Sequence, residues 1–294
     1  MFHVEHRRMD YHLHTNHSMD GRQTMPELCE TMLARGVQEI ALTEHIEPGH
    51  PEEEMDVPPV WADWFAEIAH CRAAYPALVI RSGIEIGDNP LCRAETKALL
   101  DTLPLDFRLL SLHLVNGVDC YDSEKYFTGK TRVQAYREYA EAKAESILDW
   151  EDFDSVAHIG YVAKFSIYTG KERALVYEDA PDAFDAIFRH VIALGKCIEV
   201  NTSGYATTGD TFAHSSLIRG ILSWAGRISR LAVIAMIRYG IMRMWNGRRR
   251  WCGRLGESIR SVLRGARRYI GRYEVRGSRR LFRAKSGCKV GKLR

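Results

Sequence analysis

His12-Leu13-His14 closes a short apolar run near the start of the chain, and four later residues repeat that placement. His45 ends Ile40-Ala41-Leu42-Thr43-Glu44-His45, and Glu85 ends Val79-Ile80-Arg81-Ser82-Gly83-Ile84-Glu85. His113 ends Leu109-Leu110-Ser111-Leu112-His113, and His158 ends Ser155-Val156-Ala157-His158. Neutral imidazoles together with a carboxylate are a donor set for Zn, Mn or Fe. Several such cations held close together lower the pKa of a shared water, neutralise phosphate oxygens and stabilise a leaving alkoxide. The chemistry to which this set points is hydrolysis of a phosphate ester.

Side chains at successive strand ends converge when the strands are parallel and share one rim of a barrel. Helix-like segments alternate with the strand-like runs, as that geometry requires. Met25–Arg35 has Thr24 as a candidate N-cap, Pro26 in its first turn and Gly36 just past its end. Val60–Tyr75 repeats Trp61, Trp64, Phe65 and Ile68 at helical spacing. Val133–Trp150 is rich in Ala, Glu and Tyr, Pro181–Leu194 stops at Gly195, and Cys197–Asn201 reads as a buried strand. This βα order predicts an α/β fold, with a parallel sheet closed into a barrel or doubly wound. The acidic stretch from Glu47 to Pro59 follows a strand end and is expected to loop over the site.

A chain of 294 residues can bury one large α/β core or two small ones. Its seven cysteines are scattered without CxxC spacing, which argues for a reducing, cytoplasmic setting rather than a disulfide framework. No apolar run approaches the roughly 18 residues of a membrane span, so no membrane role is expected. Met1–Arg8 is polar and reads as an extension before a natural start at Met9.

The net charge of +3 hides two unlike parts. Residues 214–294 hold 22 Lys and Arg against two acids, Glu257 and Glu274; taken from totals of 41 and 38, this leaves 19 basic and 36 acidic residues in 1–213. Asp is absent after Asp210 and His after His214, and the regular alternation dissolves past Thr211. Three readings fit residues 214–294: a poorly ordered basic tail, an arm that grips nucleic acid non-specifically, or a translated frameshift.

The motifs resemble those of the polymerase and histidinol phosphatase (PHP) superfamily. Asp10-Tyr11-His12-Leu13-His14-Thr15-Asn16-His17-Ser18-Met19-Asp20-Gly21 is similar to its opening motif, and Leu42-Thr43-Glu44-His45 resembles its Thr-Asp-His. Ser82–Gly87, Ser111-Leu112-His113 with Asn116–Asp119, and Ala157–Gly160 look like later ones, while Glu199–Gly204 is similar to a run typical of the histidinol-phosphatase branch. The resemblance covers residues 9–213 and implies a distorted (β/α)7 barrel holding two or three divalent ions (Zn, Mn or Fe). It implies His12 and His14 on a first metal, Glu85 bridging the first and second, His113 and His158 on the second, and Asp20 and His45 on the third. The activity implied is a phosphoric monoester hydrolase that cleaves L-histidinol phosphate in histidine biosynthesis, or another phosphoesterase acting on nucleotides or DNA ends. Lys130, Arg132, Lys164 and Ser203 are candidate substrate contacts. His17 is ambiguous, and His3, His6, His50, His70 and His190 are expected to be ordinary core or surface histidines.

The family closes its barrel with a strand bearing a Gly-Ser-Asp-x-His type motif, whose Asp and His bind the first and third metals. This chain has neither residue type in that region. Leu231–Ile237 can be encoded by CTG GCA GTG ATC GCC ATG ATC, and the frame starting at the last base of the Leu codon reads Gly-Ser-Asp-Arg-His-Asp. In the same frame, Ile221–Arg227 can derive from a segment such as Tyr-x-Glu-Leu-Gly-Gly-Glu. A frameshift near residues 211–217 accounts for the charge switch, the lost periodicity and the missing ligands together. The expectation is a metallohydrolase barrel over 9–213 whose closing strand and helix are disrupted by an aberrant basic tail over 214–294. Residues 214–294 are therefore expected to pack poorly against the barrel, and the chain as written to have little activity.

Overall fold

In a computed structural model, which describes residues 9–228 and 235–238, the strand-like runs form one curled, parallel sheet. Its strands are β1 (Met9–Leu13), β2 (Glu39–Ile46), β3 (Val79–Gly87), β4 (Phe107–Ser111), β7 (Ser155–Val156), β8 (Cys197–Asn201) and β9 (Ala235–Arg238), in that spatial order. A short hairpin of β5 (Leu114–Val115) and β6 (Val118–Asp119) follows β4. Neighbours in the sheet pair in sequence order, as in a singly wound βα barrel, and β9 also comes close to β1. All strands therefore point the same way, and their C-terminal ends share one rim.

The crossover helices are α1 (Met25–Ala34), α2 (Trp61–Ala74), α3 (Arg93–Leu100), α5 (Arg132–Leu148), α6 (Pro181–Leu194) and α8 (Ser215–Ile228); α4 (Ser123–Phe127) and α7 (Tyr205–Thr208) are single turns. Thr24 caps α1 and Thr131 caps α5, each in a reciprocal exchange with the residue three positions on, Glu27 and Gln134. Leu13, Met25, Leu28, Ile40, Leu42, Trp64 and Ile68 pack β1 and β2 against α1 and α2. Ile84, Leu110, Tyr139, Phe184, Phe188, Leu217 and Ile221 belong to a larger cluster under α5, α6 and α8. Each such side chain contributes on the order of 1.5–3 kcal/mol by leaving water. Glu47–Pro59 holds neither helix nor strand. Among the described residues, no helix is long and apolar enough to cross a membrane.

One expectation needs correcting. Poor packing from residue 214 onward does not describe α8, whose Leu217 and Ile221 are only 2% and 3% exposed. The reason is local periodicity. Leu217, Ile218, Ile221 and Trp224 fall on one helical stripe, and the average charge of 214–294 masks it. Beyond it, Ala235–Arg238 pairs with β8 as a further parallel strand. The remainder of the basic stretch lies outside the described residues.

Candidate metal centre

Glu85 sits near the end of β3 and is fully buried. An ionised carboxylate is an acceptor with two oxygens, and here the two face different neighbours. Oε2 lies 2.8 Å from His12 Nε2, 3.3 Å from His14 Nε2 and 3.6 Å from His45 Nε2. Oε1 lies 2.8 Å from His158 Nε2 and 3.4 Å from His113 Nε2, and it accepts the Ser111 hydroxyl at 2.5 Å. Five imidazoles from β1, β2 and the ends of β4 and β7 thus converge on one carboxylate. His14 and His45 stack with ring centroids 4.4 Å apart, and His113 Nε2 is 3.4 Å from His158 Nε2. Asp20, at the mouth of the cluster, stands 3.7 Å from His45 Nε2.

The placement follows from local structure. His12 alternates with Leu13 on β1, so the imidazole faces inward. Thr15 donates its N–H and its hydroxyl to Glu44, Ser18 donates its hydroxyl to Glu44, and the backbone N–H of His45 donates to Ser18. Glu44 thereby staples the loop that carries Asp20 onto β2. His158 adopts a left-handed backbone with φ of 39°, which costs a non-glycine residue roughly 1–3 kcal/mol.

Three imidazoles have a carboxylate behind them. Glu199 Oε1 is 2.8 Å from His12 Nδ1, and Glu47 Oε1 is 2.8 Å from both His45 Nδ1 and His113 Nδ1. This leaves Nε2 of each ring aimed at Glu85. Among the described residues, Nδ1 of His14 and of His158 have no hydrogen-bond partner. Burial would lower the pKa of His45 and His113, but the Glu85 and Glu47 charges outweigh it; His45 ends well above its ordinary value and His113 at about 9. Burial, joined by the neighbouring charges of His12 and His113, takes His158 down to about 3 against the pull of Glu85. Burial would raise Glu85, yet the imidazoles hold it well below the usual carboxylate range.

Divalent cations fit this donor set. Glu85 has too few lone pairs to accept a proton from every imidazole facing it, and protonating all five would concentrate positive charge in a buried space. Ring nitrogens held by carboxylates on their far side are the usual arrangement of metal-binding imidazoles. Among the described residues three compact triads could each hold an ion: His12, Glu85 and His158; His14, Asp20 and His45; and His45, Glu47 and His113.

The candidate substrate contacts are placed differently. Arg132 spends its guanidinium on Asp179 and on the carbonyls of Glu172 and Ala174, and Lys130 pairs with Glu138 at 2.7 Å over the Tyr126 ring. Ser203 donates to Asn201 Oδ1, whose amide donates in turn to Glu199, so Ser203 is linked to His12 through its neighbours. Lys164 is exposed on a 3-10 turn, Tyr161–Lys164, whose Tyr161 stacks on His158 with centroids 5.1 Å apart. His50, expected to be ordinary, is buried with Nε2 3.2 Å from Asp119, which also accepts the Tyr161 hydroxyl. Glu47 escaped notice because it opens an acidic loop and looks like one of its surface charges. Glu199 carried a usable signal: a carboxylate inside the apolar strand Cys197–Asn201 requires a buried partner.

Comparison with known proteins agrees with this picture. The histidinol-phosphatase of Lactococcus lactis subsp. lactis (strain IL1403) is 27% identical over 197 residues, covering 67% of this chain and 72% of that protein. The probable histidinol-phosphatase of Clostridium acetobutylicum is 27% identical over 196 residues, covering 66% and 72%. The crystal structure of the Lactococcus lactis histidinol phosphate phosphatase, complexed with Zn, L-histidinol and phosphate, superposes with a TM-score of 0.72 at 23% identity over 88% of this chain and 94% of that one. A putative histidinol phosphatase from Listeria monocytogenes gives 0.63 at 19% identity, over 83% and 100%. These solved structures share the curled α/β barrel. A model of the PHP domain matches residues 10–203, the stretch from β1 to the turn after β8 that carries every member of the cluster, and the chain belongs to that family.

Proposed function

We propose that the chain is a metal-dependent phosphate monoester hydrolase acting on L-histidinol phosphate, with water as co-substrate and L-histidinol and phosphate as products. The observation that carries this reading is the split environment of Glu85, one oxygen toward His12, His14 and His45 and the other toward His113 and His158. In this reading, following the resemblance, His12 and His14 would hold a first divalent ion, His113 and His158 a second with Glu85 serving both, and Asp20 with His45 a third; the compact groupings His12–Glu85–His158 and His14–Asp20–His45 would divide these donors differently. Bound there, such ions supply Lewis-acid activation of water and charge compensation for the phosphate and its leaving oxygen. The chain's own residues do the rest. Glu85 fixes the spacing, Glu44 holds the Asp20 loop, and Tyr161 walls the side of the cluster nearest His113 and His158. Among the candidate phosphate contacts, Lys164 shares its turn with Tyr161, and its amine lies 5.8 Å from the centre of that ring.

The names of the relatives favour histidinol phosphate over other small phosphate monoesters. The test is phosphate release by the zinc- or manganese-loaded protein from L-histidinol phosphate and, side by side, from a nucleoside monophosphate. The readout is the ratio of the two rates, which does not depend on how active the preparation is. Clear preference for L-histidinol phosphate is expected. Preference for the nucleotide would overturn the substrate, and a metal-loaded protein inert toward both, as written and with the frame restored beyond residues 211–217, would overturn the reaction.

A further inference from the structure

We propose that Glu47 is a positioning residue that orients two imidazoles at once, His45 and His113, and so ties two metal positions to one buried carboxylate. The inference rests on the metallohydrolase reading above and concerns a residue outside the ligand set that reading uses.

A single oxygen, Glu47 Oε1, lies 2.8 Å from Nδ1 of both rings. An ionised carboxylate only accepts, so each ring turns an Nδ1–H toward it, and with a divalent ion in the site Nε2 on the opposite side would be the nitrogen that gives up its proton and binds. Those Nε2 atoms face different oxygens of Glu85: His45 faces Oε2 at 3.6 Å and His113 faces Oε1 at 3.4 Å. Glu47 therefore stands behind the two rings while Glu85 stands before them. One carboxylate fixes the tautomer and the direction of ligands that belong to separate ions.

The surroundings are shaped for that task. Glu47 is only 4% exposed, and it reaches its place by lying against the backbone at the end of β3. Gly87 supplies the space, since a Cβ there would fall 1.8 Å from Glu47 Oε2. Supporting carboxylates of this kind typically account for about 10- to 100-fold in metal affinity. The same three side chains, His45, Glu47 and His113, could instead enclose an ion among themselves through both Nδ1 atoms. That arrangement would turn the coordinating nitrogens away from Glu85, and it makes the opposite prediction for the ring protons.

The experiment uses the full chain labelled with ¹⁵N-histidine, with resonances assigned through His45→Gln and His113→Gln. In the zinc-loaded wild type, both His45 and His113 are expected to carry a proton on Nδ1. Calorimetric titration of metal-free Glu47→Leu with zinc should show about 10- to 100-fold weaker uptake at two positions rather than one. Glu47→Gln, which keeps an acceptor oxygen, should recover most of that loss. A zinc-loaded wild type with no proton on either Nδ1 would make Glu47 a coordinating residue and overturn the proposal. So would a folded Glu47→Leu with wild-type stoichiometry and affinity. The tautomer measurement is made on the unaltered chain, so it decides the matter even where the Leu variant fails to fold. A wild type that takes up no zinc would overturn the metallohydrolase reading itself, and this inference with it.

Discussion

Residues that do chemistry are legible in a sequence when their type is scarce and their placement repeats. His12, His14, His45, Glu85, His113 and His158 met both conditions, each closing a short apolar run. Glu47 and Glu199 did not, because carboxylates are common and their partners lie on distant strands. Lys143 was equally invisible: it lies midway along α5, in a run rich in Ala and Glu, yet is only 1% exposed. Among the described residues, its Nζ has no hydrogen-bond partner. Burial takes this amine from its ordinary 10.5 down to about 8, although Glu85, Glu199 and Asp88 pull the other way. The folded pKa is thus below the unfolded one. Between about pH 8 and 10.5 the unfolded chain binds the extra proton, so this group's contribution to stability improves as pH rises through that window. Below pH 8 its full cost is present, on the order of 3 kcal/mol for a shift of that size. Lys143→Met is therefore expected to be more stable than wild type at pH 7, with the gap shrinking by about that amount as pH approaches 10.5. Urea unfolding of both proteins across this range checks it, and a gap independent of pH would sink the idea.

Elements were easier to read than their exact ends, and the loops between them hardest. Pro181–Leu194 and Cys197–Asn201 appear with the bounds that their capping and apolar pattern indicate, and the helices from Met25 and Val60 differ by a residue at their ends. The β1–α1 loop was recognisable only through its motif, because its order comes from Glu44 on another strand. That loop turns back sharply: Asn16 N–H donates to the Gln23 carbonyl, and Gly21 N–H donates to that of Ser18. Gly21 packs so closely that a Cβ there would fall 1.7 Å from the Thr15 carbonyl oxygen. Thr15 is fixed by Glu44 and cannot yield, so Gly21→Ala must displace the segment that carries Asp20. The expected cost is about 1–3 kcal/mol of stability, as for overpacking elsewhere. Metal content should fall at the Asp20 and His45 position, while the ions on either side of Glu85 are retained. Thermal unfolding and metal analysis of the variant test both parts, and unchanged metal content would show that Asp20 holds no ion.

For the whole molecule, composition and packing divide the chain at different places. The charge balance changes at residue 214, but α8 continues into the core through Leu217 and Ile221, and β9 extends the sheet beside β8. An average over 81 residues (214–294) conceals a stripe four side chains long, which is why the helix was not legible and the charge switch was. We propose that the domain of residues 9–213 evolved with a closing strand of another reading frame, and the sheet register gives that proposal a location. In the shifted frame the His codon spans the codons of Ala235 and Met236. Met236 is the register partner of Glu199, whose carboxylate holds His12. A histidine introduced there would stand one strand away from the cluster, beside the strand that carries Glu199. Restoring the frame from residues 211–217 onward is therefore expected to raise both the number of ions retained and the rate of phosphate release. The rate gain should be on the order of 100-fold, the usual effect of bringing reacting groups from slight misplacement into alignment. The measurement compares the two versions, each loaded with manganese or zinc, for metal content and for phosphate released from L-histidinol phosphate. Equal metal content and equal turnover would mean that residues 214–294 as written already complete the site, and that no frame was lost.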